Sequence, residues 1–360
     1  MEFNFKKIII AVILFFITVF SFAVIKGDEE IIFFPSFGIM KNGSLTAEVH
    51  GWVFEPEKDS VWRNVIMEGL KKALDEDIVR RNPEIYEKRI RFFLVDNKSN
   101  KEIQIKIGER EYDLGKTRPD GHFSGSLVVR AEELRKTLLN DSVEFSFHGF
   151  LDQKRKATNS IRIIRPEGIS VISDIDDTIK ISNVHDKKEM LKNTFLRDFA
   201  PVPGMPALYA SWEKQGAVFH YVSGSPWQLY VPLKEFLEKN NFPRGFFRFK
   251  KFRLKDSSSL RFVTMDQFEY KTAEIEKIMN AFPARKFILV GDSGEKDPEV
   301  YGHIAGKYKD RIIAIYIRKV ADSKSESTRY KALNAKAGKK IILFQDASEL
   351  PRDISFPADK

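Results

Sequence analysis

The rhythm of hydrophobic positions changes near Pro166. From Ile31 to about Arg165 the chain runs in short period-two segments, "SLTAEVHGWVFEP", "RIRFFLVDN", "KEIQIKIG", "GHFSGSLVV", "VEFSFHGFL" and "NSIRIIRP". Alternation bounded by Asn, Asp, Gly and Pro predicts antiparallel strands. One patch breaks the pattern: Trp62, Val65, Ile66, Leu70 and Leu74 recur at helical spacing between Val61 and Val79. Residues 31–165 therefore read as a β-rich sandwich or barrel-like domain with one helical insertion.

Beyond Pro166 apolar strands, loops and amphipathic helices alternate, the grammar of a mostly parallel sheet flanked by helices. Strands are predicted at Ile169–Ser173, Ala217–Val222, Phe287–Val290, Ile312–Ile317 and Ile341–Phe344, and helices at Met205–Gln215, Trp227–Lys239 and Thr272–Phe282. Residues 166–360 thus form a second, α/β domain.

The amino-terminal segment stands apart from both patterns. Lys6 and Lys7 precede an unbroken apolar run from Ile8 to Phe20, and Ser21, Phe22 and Ala23 follow as a small-x-small triplet. That is the layout of a secretory signal, residues 1–23, cleaved after Ala23. The alternative counts residues 8–25 as an uncleaved membrane anchor. Either reading expects the bulk of the chain to be exported, to a periplasmic or extracellular location.

Composition narrows the chemistry. The 360 residues include no cysteine, which excludes disulfides, thiolate catalysis, iron–sulfur clusters and a bacterial lipoprotein anchor. The formal charge is +9, and loss of Glu2, Lys6 and Lys7 with the leader leaves +8. A basic exported chain favours anionic partners, among them phospholipid head groups and phosphorylated metabolites.

The candidate chemistry gathers at the ends of the predicted parallel strands, where open α/β sheets collect ligands. Asp174, Asp176, Asp177 and Thr178 follow the first strand, Ser223, Gly224 and Ser225 the second, and "GDSGEKD" with Asp292 and Asp297 a later one. Two carboxylates about 4 Å apart repel by roughly 4 kcal/mol at an effective dielectric near 20. A cluster of this kind needs a cation or a proton. Asp174 and Asp176, two apart, point the same way in an extended segment, and with Asp292 they offer the hard oxygen site that Mg²⁺ prefers. An EF-hand counted from Asp174 would want glycine and glutamate where Ile179 and His185 stand, which argues against calcium. Taken alone, Ser223 reads as a turn residue before Pro226, Lys271 as a surface lysine and Asp297 as a helix opener before Pro298.

"DIDDT" after a hydrophobic strand, a serine ending the next strand, a lysine opening a later helix and "GDSGEKD" after a further strand resemble, in order, the four motifs of the haloacid dehalogenase phosphatase superfamily. More narrowly, "SDIDDTIKISNV", "FLRDFAPVPGMPALY", "FHYVSGSPWQLY" and "GDSGEKDPEVY" resemble the catalytic domain of App1-type phosphatidate phosphatases, which is related to the lipin-type domain. "VHGWVFEP" and "PDGHFSG" are similar to the region that precedes that domain in bacterial relatives. The resemblance implies a Rossmann-like catalytic fold and Mg²⁺-dependent hydrolysis of phosphatidate to diacylglycerol and phosphate through an aspartyl-phosphate. It implies Asp174 as nucleophile, Asp176 as acid and then base, and Thr178 as a brace. Ser223 and Gly224 would bind the substrate phosphate, and Lys271 would neutralise it. The metal would be held by Asp174, the carbonyl of Asp176 and Asp292, with Asp297 orienting its water shell. A bulkier residue than Gly224 is expected between the serines, so substrate fit is where this chain would differ.

"FPRGFFRFKKFRLKD", residues 242–256, mixes cations with phenylalanines. It reads either as a half-buried strand or as a face that associates peripherally with an anionic bilayer; nucleic acid is not an expected partner. Only a short stretch, Ile179–Pro203, separates the first motif from the next helix, so any cap is small and suits a large or membrane-embedded substrate. The competing functions are a phosphatase of the same mechanism on another exported phosphomonoester, and a catalytically silent phospholipid-binding module.

Overall fold

The computed structural model describes residues 24–56, 67–69, 79–80, 82–152, 154–251, 266–320, 326–338 and 341–354. The expected leader or anchor lies outside the described residues, as do most of the helical patch over 61–79 and the end of the basic aromatic stretch. No helix among the described residues is long and apolar enough to cross a membrane. The chain divides into two compact units, residues up to Lys58 with Leu94–Ile164, and Asp59–Phe93 with Arg165–Lys360.

The first unit holds ten strands: β1 (Glu30–Phe33), β2 (Ser36–Lys41), β3 (Ser44–Pro56), β4 (Val95–Asn97), β5 (Glu102–Ile107), β6 (Arg110–Lys116), β7 (His122–Val129), β8 (Leu138–Leu139), β9 (Ser142–Phe147) and β10 (Ala157–Ile164). They are joined in the order β1-β3-β2-β10-β9-β5-β6, with β4 and β7 also on β3 and β8 on β9. Every pairing is antiparallel except β2 with β10. Period-two alternation does its usual work here. Val49, Phe123, Phe145, Phe147 and Ile161 point inward and form one apolar core.

Two segments of the first half depart from their sequence patterns. "RIRFFLVDN" reads as a strand, but Pro83–Ile90 is a helix, Arg91–Phe93 a 3-10 turn, and only Val95–Asn97 is extended. Pro83 is well placed in the first helical turn, and Tyr86, Arg89 and Ile90 recur three and four apart on the buried face. The second departure is β6, whose sequence "REYDLGK" shows little alternation because it is an exposed strand at the end of the pairing order.

The second unit is built on six strands: β11 (Ile169–Ser173), β12 (Val218–Pro226), β13 (Gly245–Lys250), β14 (Lys286–Asp292), β15 (Ile312–Arg318) and β16 (Ile341–Phe344). All are parallel, in the order β13-β12-β11-β14-β15-β16. The chain leaves β11 toward one edge and returns at β14 to build the other. A switch point therefore lies between the carboxyl ends of β11 and β14, the place where such sheets bind ligands. β13 comes from the basic aromatic stretch, and Phe246, Phe247 and Phe249 are all buried. Those three rings are core, and none is available to a bilayer.

Entry into β11 is fixed by Arg285, which is buried at the start of β14. Its guanidinium donates to the carbonyls of Arg165 (2.9 Å), Glu167 (2.6 Å) and Ile169, and to Ser170 Oγ (2.8 Å). Truncation would leave several buried acceptors unsatisfied. Arg285→Met is expected to destabilise the protein by about 3 kcal/mol in urea unfolding; a stability equal to wild type would contradict this role.

Candidate active site

β11 ends at Ser173, but Asp174 donates its backbone N–H to the Val290 carbonyl at 2.9 Å and stays pinned to β14. The chain then turns. The Ile175 carbonyl accepts from both Ile179 and Lys180, each at 3.0 Å, and Asp177 adopts a left-handed φ of 52°. The Asp177 carboxylate accepts backbone N–H groups from Ser182 (2.8 Å), Asn183 (2.9 Å) and Val184 (2.7 Å). Its work is to hold the loop.

Strand alternation stops at Ser173, and Asp174 and Asp176 have different partners. Asp174 is fully buried, with Lys271 Nζ 3.0 Å from Oδ1 and Thr178 Oγ1 3.4 Å from Oδ2. Asp176 faces different partners. Its Oδ1 meets Lys180 Nζ at 2.7 Å and Ser182 Oγ at 2.6 Å, and its Oδ2 accepts from Ser225 Oγ at 2.8 Å and Ser223 Oγ at 3.4 Å. Burial pushes the Asp176 pKa up, but Lys180 and the hydroxyls outweigh it and hold the carboxyl at about 2. It is ionised at neutral pH.

Lys271 is on the helix Gln267–Ala281, which Asp266 opens by accepting from the Phe268 N–H at 2.9 Å. The helix starts five residues ahead of its expected position, so Lys271 is inside its second turn and wholly buried. Its ammonium meets Asp174 (3.0 Å), Asp297 (2.5 Å) and Glu295 (3.1 Å). Burial alone would lower its pKa; the three carboxylates raise it well above the ordinary value.

Asp292 ends β14. One oxygen accepts from the N–H groups of Gly294 (2.7 Å) and Glu295 (3.2 Å), while Oδ2 is buried without a hydrogen-bond partner among the described residues. Ligand oxygens of Asp174, Asp292 and Glu295 lie within 4.8 Å of one another. Four carboxylates, Asp174, Asp292, Glu295 and Asp297, thus share one ammonium. Burial first, and then mutual repulsion, push the pKa values of Asp174, Asp292 and Asp297 upward despite Lys271. An orphaned oxygen in a buried anionic trio fits a hard divalent cation.

Two of the trio, Asp174 and Asp292, are in the expected metal set, and Glu295 is an addition to it. The Asp176 side chain pairs with Lys180, and Asp297 with Lys271 and the Asp292 N–H at 3.3 Å. Ser223 is buried at the end of β12, and a Cβ at Gly224 would come within 3.3 Å of Gln267 Nε2, which itself donates to Glu295 at 3.0 Å. Lys180, Ser182 and Glu295 were not singled out by sequence. Their only signal was spacing: Lys180 is four after Asp176, and Glu295 three after Asp292.

The model of phosphatidate phosphatase APP1, catalytic domain, matches residues 169–319. Those residues are similar to the APP1-type catalytic domain. Phosphatidate phosphatase APP1 of Saccharomyces cerevisiae is 35% identical over 207 residues, 56% of this chain and 34% of that protein. An uncharacterized protein of Schizosaccharomyces pombe is 29% identical over 167 residues, 45% of this chain and 27% of its own length. The chain spans about a third of the length of these curated relatives. Among solved structures, a putative beta-phosphoglucomutase from Thermotoga maritima aligns over 49% of this chain and 94% of its own, with 14% identity and a TM-score of 0.29, too slight a likeness to bear on the site. The matched residues 169–319 contain every polar group of the cluster described above.

A raised carboxylate pKa means that the folded state binds protons more readily than the unfolded chain, so stability falls as pH rises past the ordinary value. At pH 7 without divalent cations, the Asp292 charge therefore opposes folding. Asp292→Asn is expected to raise the thermal midpoint in EDTA by about 3 °C or more; a lowered midpoint would contradict the charge imbalance.

Proposed function

We propose that this protein is a divalent-cation-dependent phosphatidate phosphatase of the haloacid dehalogenase type, releasing diacylglycerol and phosphate, and that it acts outside the cytoplasm. The observation that carries the reading is the buried excess of carboxylate at the switch point, with one Asp292 oxygen unpartnered, inside an APP1-type catalytic domain. Mg²⁺ would be held by Asp174, Asp292 and Glu295, and when bound it supplies positive charge that offsets the carboxylates and the incoming phosphomonoester.

The chain's own residues divide the chemistry between two lysines. Asp174 attacks phosphorus, forming an aspartyl-phosphate as the bond from phosphorus to the ester oxygen breaks and the alkoxide takes a proton. Lys271, fixed on Asp174, lies where it can neutralise the transferring group, and Thr178 braces the nucleophile. In the second half Asp176 takes a proton from the water that attacks phosphorus, releasing phosphate and restoring Asp174. Ionised by Lys180, Asp176 is ready for that second step. To act as the acid in the first, it must gain a proton in place of the lysine contact. Ser223, Ser225 and the Gly224 backbone border the Asp176 side, where phosphoryl oxygens would be received.

Phosphate release from phosphatidate in mixed micelles tests this. With Mg²⁺ the protein lacking residues 1–23 is expected to release phosphate. EDTA should stop it, and Asp174→Asn should lower it at least ~10³-fold, since the nucleophile is lost. Release that persists in EDTA or in Asp174→Asn contradicts the mechanism. Cleavage of a water-soluble phosphomonoester alone would keep the mechanism and remove the lipid substrate.

A further inference from the structure

Residues 59–93 interrupt the strands of the first unit in sequence, yet they group with the second. The helix Pro83–Ile90 buries Arg89 there, and its guanidinium donates to the Thr194 carbonyl at 2.9 Å. The guanidinium carbon lies 3.4 Å from the centroid of the Phe199 ring, and Lys180 Nζ lies 4.8 Å from the same centroid. Lys180 is the residue that holds Asp176, at 2.7 Å. The backbones are tied as well: Ile181 donates to the Ala200 carbonyl and Val202 to the Ile179 carbonyl, each at 2.9 Å, and Lys180 forms a bridge with Pro201. A strap over 194–202 therefore sits between Arg89 and the loop that carries Asp176.

We infer that Arg89 is a positioning residue for Asp176, acting through Phe199, the 194–202 strap and Lys180. This rests on the reading of Asp176 as the proton carrier. The physical basis is contiguous contact. A desolvated cation over an aromatic face is attracted by the ring's electrons, and the donation to Thr194 fixes the strap from the same side chain. Burial lowers the Arg89 pKa to about 10 against the pull of Asp198 and Glu235, so it stays cationic at neutral pH. Loss of the guanidinium frees both ring and strap, and a misplacement of about 1 Å at a reacting group can cost up to ~10²-fold in rate. The insertion helix, though encoded among the strands of the first unit, is on this account part of the catalytic machinery's support.

The test combines turnover of a water-soluble phosphomonoester with backbone amide exchange over 177–184. Arg89→Ala is expected to lower kcat about tenfold with KM changed less than twofold, and Arg89→Lys to recover most of it. In a Lys180→Met background the same change is expected to cost less than twofold, because the route is already cut. Exchange over 177–184 should rise in Arg89→Ala and in Phe199→Leu, which keeps an apolar side chain, while β11 and β14 stay protected. Equal losses of kcat in both backgrounds, or unchanged exchange over 177–184, would overturn the inference. If the wild-type protein hydrolyses no phosphomonoester, the catalytic reading falls and exchange alone decides the positioning claim: a rise confined to 177–184 keeps it, and no rise overturns it.

Discussion

Four carboxylates converge on one buried lysine where β11 and β14 end, and the rest of the second unit is arranged to tolerate that excess of negative charge. At separations below 5 Å each additional carboxylate costs about 3 kcal/mol even at an effective dielectric near 20. The sheet supplies the compensation it can. Lys271 bonds three of the four, backbone N–H groups of the loop after β14 satisfy one Asp292 oxygen, and the Asp292 N–H meets Asp297. The remaining oxygen has no hydrogen-bond partner among the described residues, and the proposed divalent cation would resolve the imbalance. A site that is costly without its ligand and stable with it is a common way for structure to be traded against function.

The two aspartates of "DIDD" that carry the proposed chemistry are kept electrostatically separate. Asp174 belongs to Lys271 and the metal trio; Asp176 belongs to Lys180 and three serines. Burial acts on both, yet it raises one pKa and is overruled at the other, because Asp176 has a cation to itself and Asp174 must share. The proposed nucleophile and proton carrier thus differ in environment while sitting two residues apart, the division that acid–base chemistry on neighbouring carboxylates requires. Asp177, between them and Thr178, uses its carboxylate on three backbone amides and so makes the sharp turn affordable.

Much of this frame is readable in the chain. The bounds of β11 and β16 agree with their apolar runs, since strands covered on both faces are nearly continuous in hydrophobicity. What escapes is informative. Parity between Asp174 and Asp176 says nothing of their separate partners, since the strand ends one residue before the first of them. Lys180 and Glu295 pass for solvated loop charges, since the partners that give them meaning are brought close only by the turn after Asp174 and by the helix that carries Lys271. Of the two readings open for Gly245–Lys250, the strand with its phenylalanines in the core is the one observed, paired with β12. "RIRFF" alternates like a strand while Pro83 and the spacing of Tyr86, Arg89 and Ile90 make the preceding segment a helix.

The central claim is that the leftover charge at Asp174, Asp292 and Glu295 is a cation site. Direct titration with Mn²⁺, followed by the loss of its free-ion electron paramagnetic resonance signal, tests it without any substrate. The account predicts one Mn²⁺ bound per chain, displaced by excess Mg²⁺, and binding lost in Asp292→Asn. No saturable binding in the wild-type protein, or binding unchanged in Asp292→Asn, would contradict it.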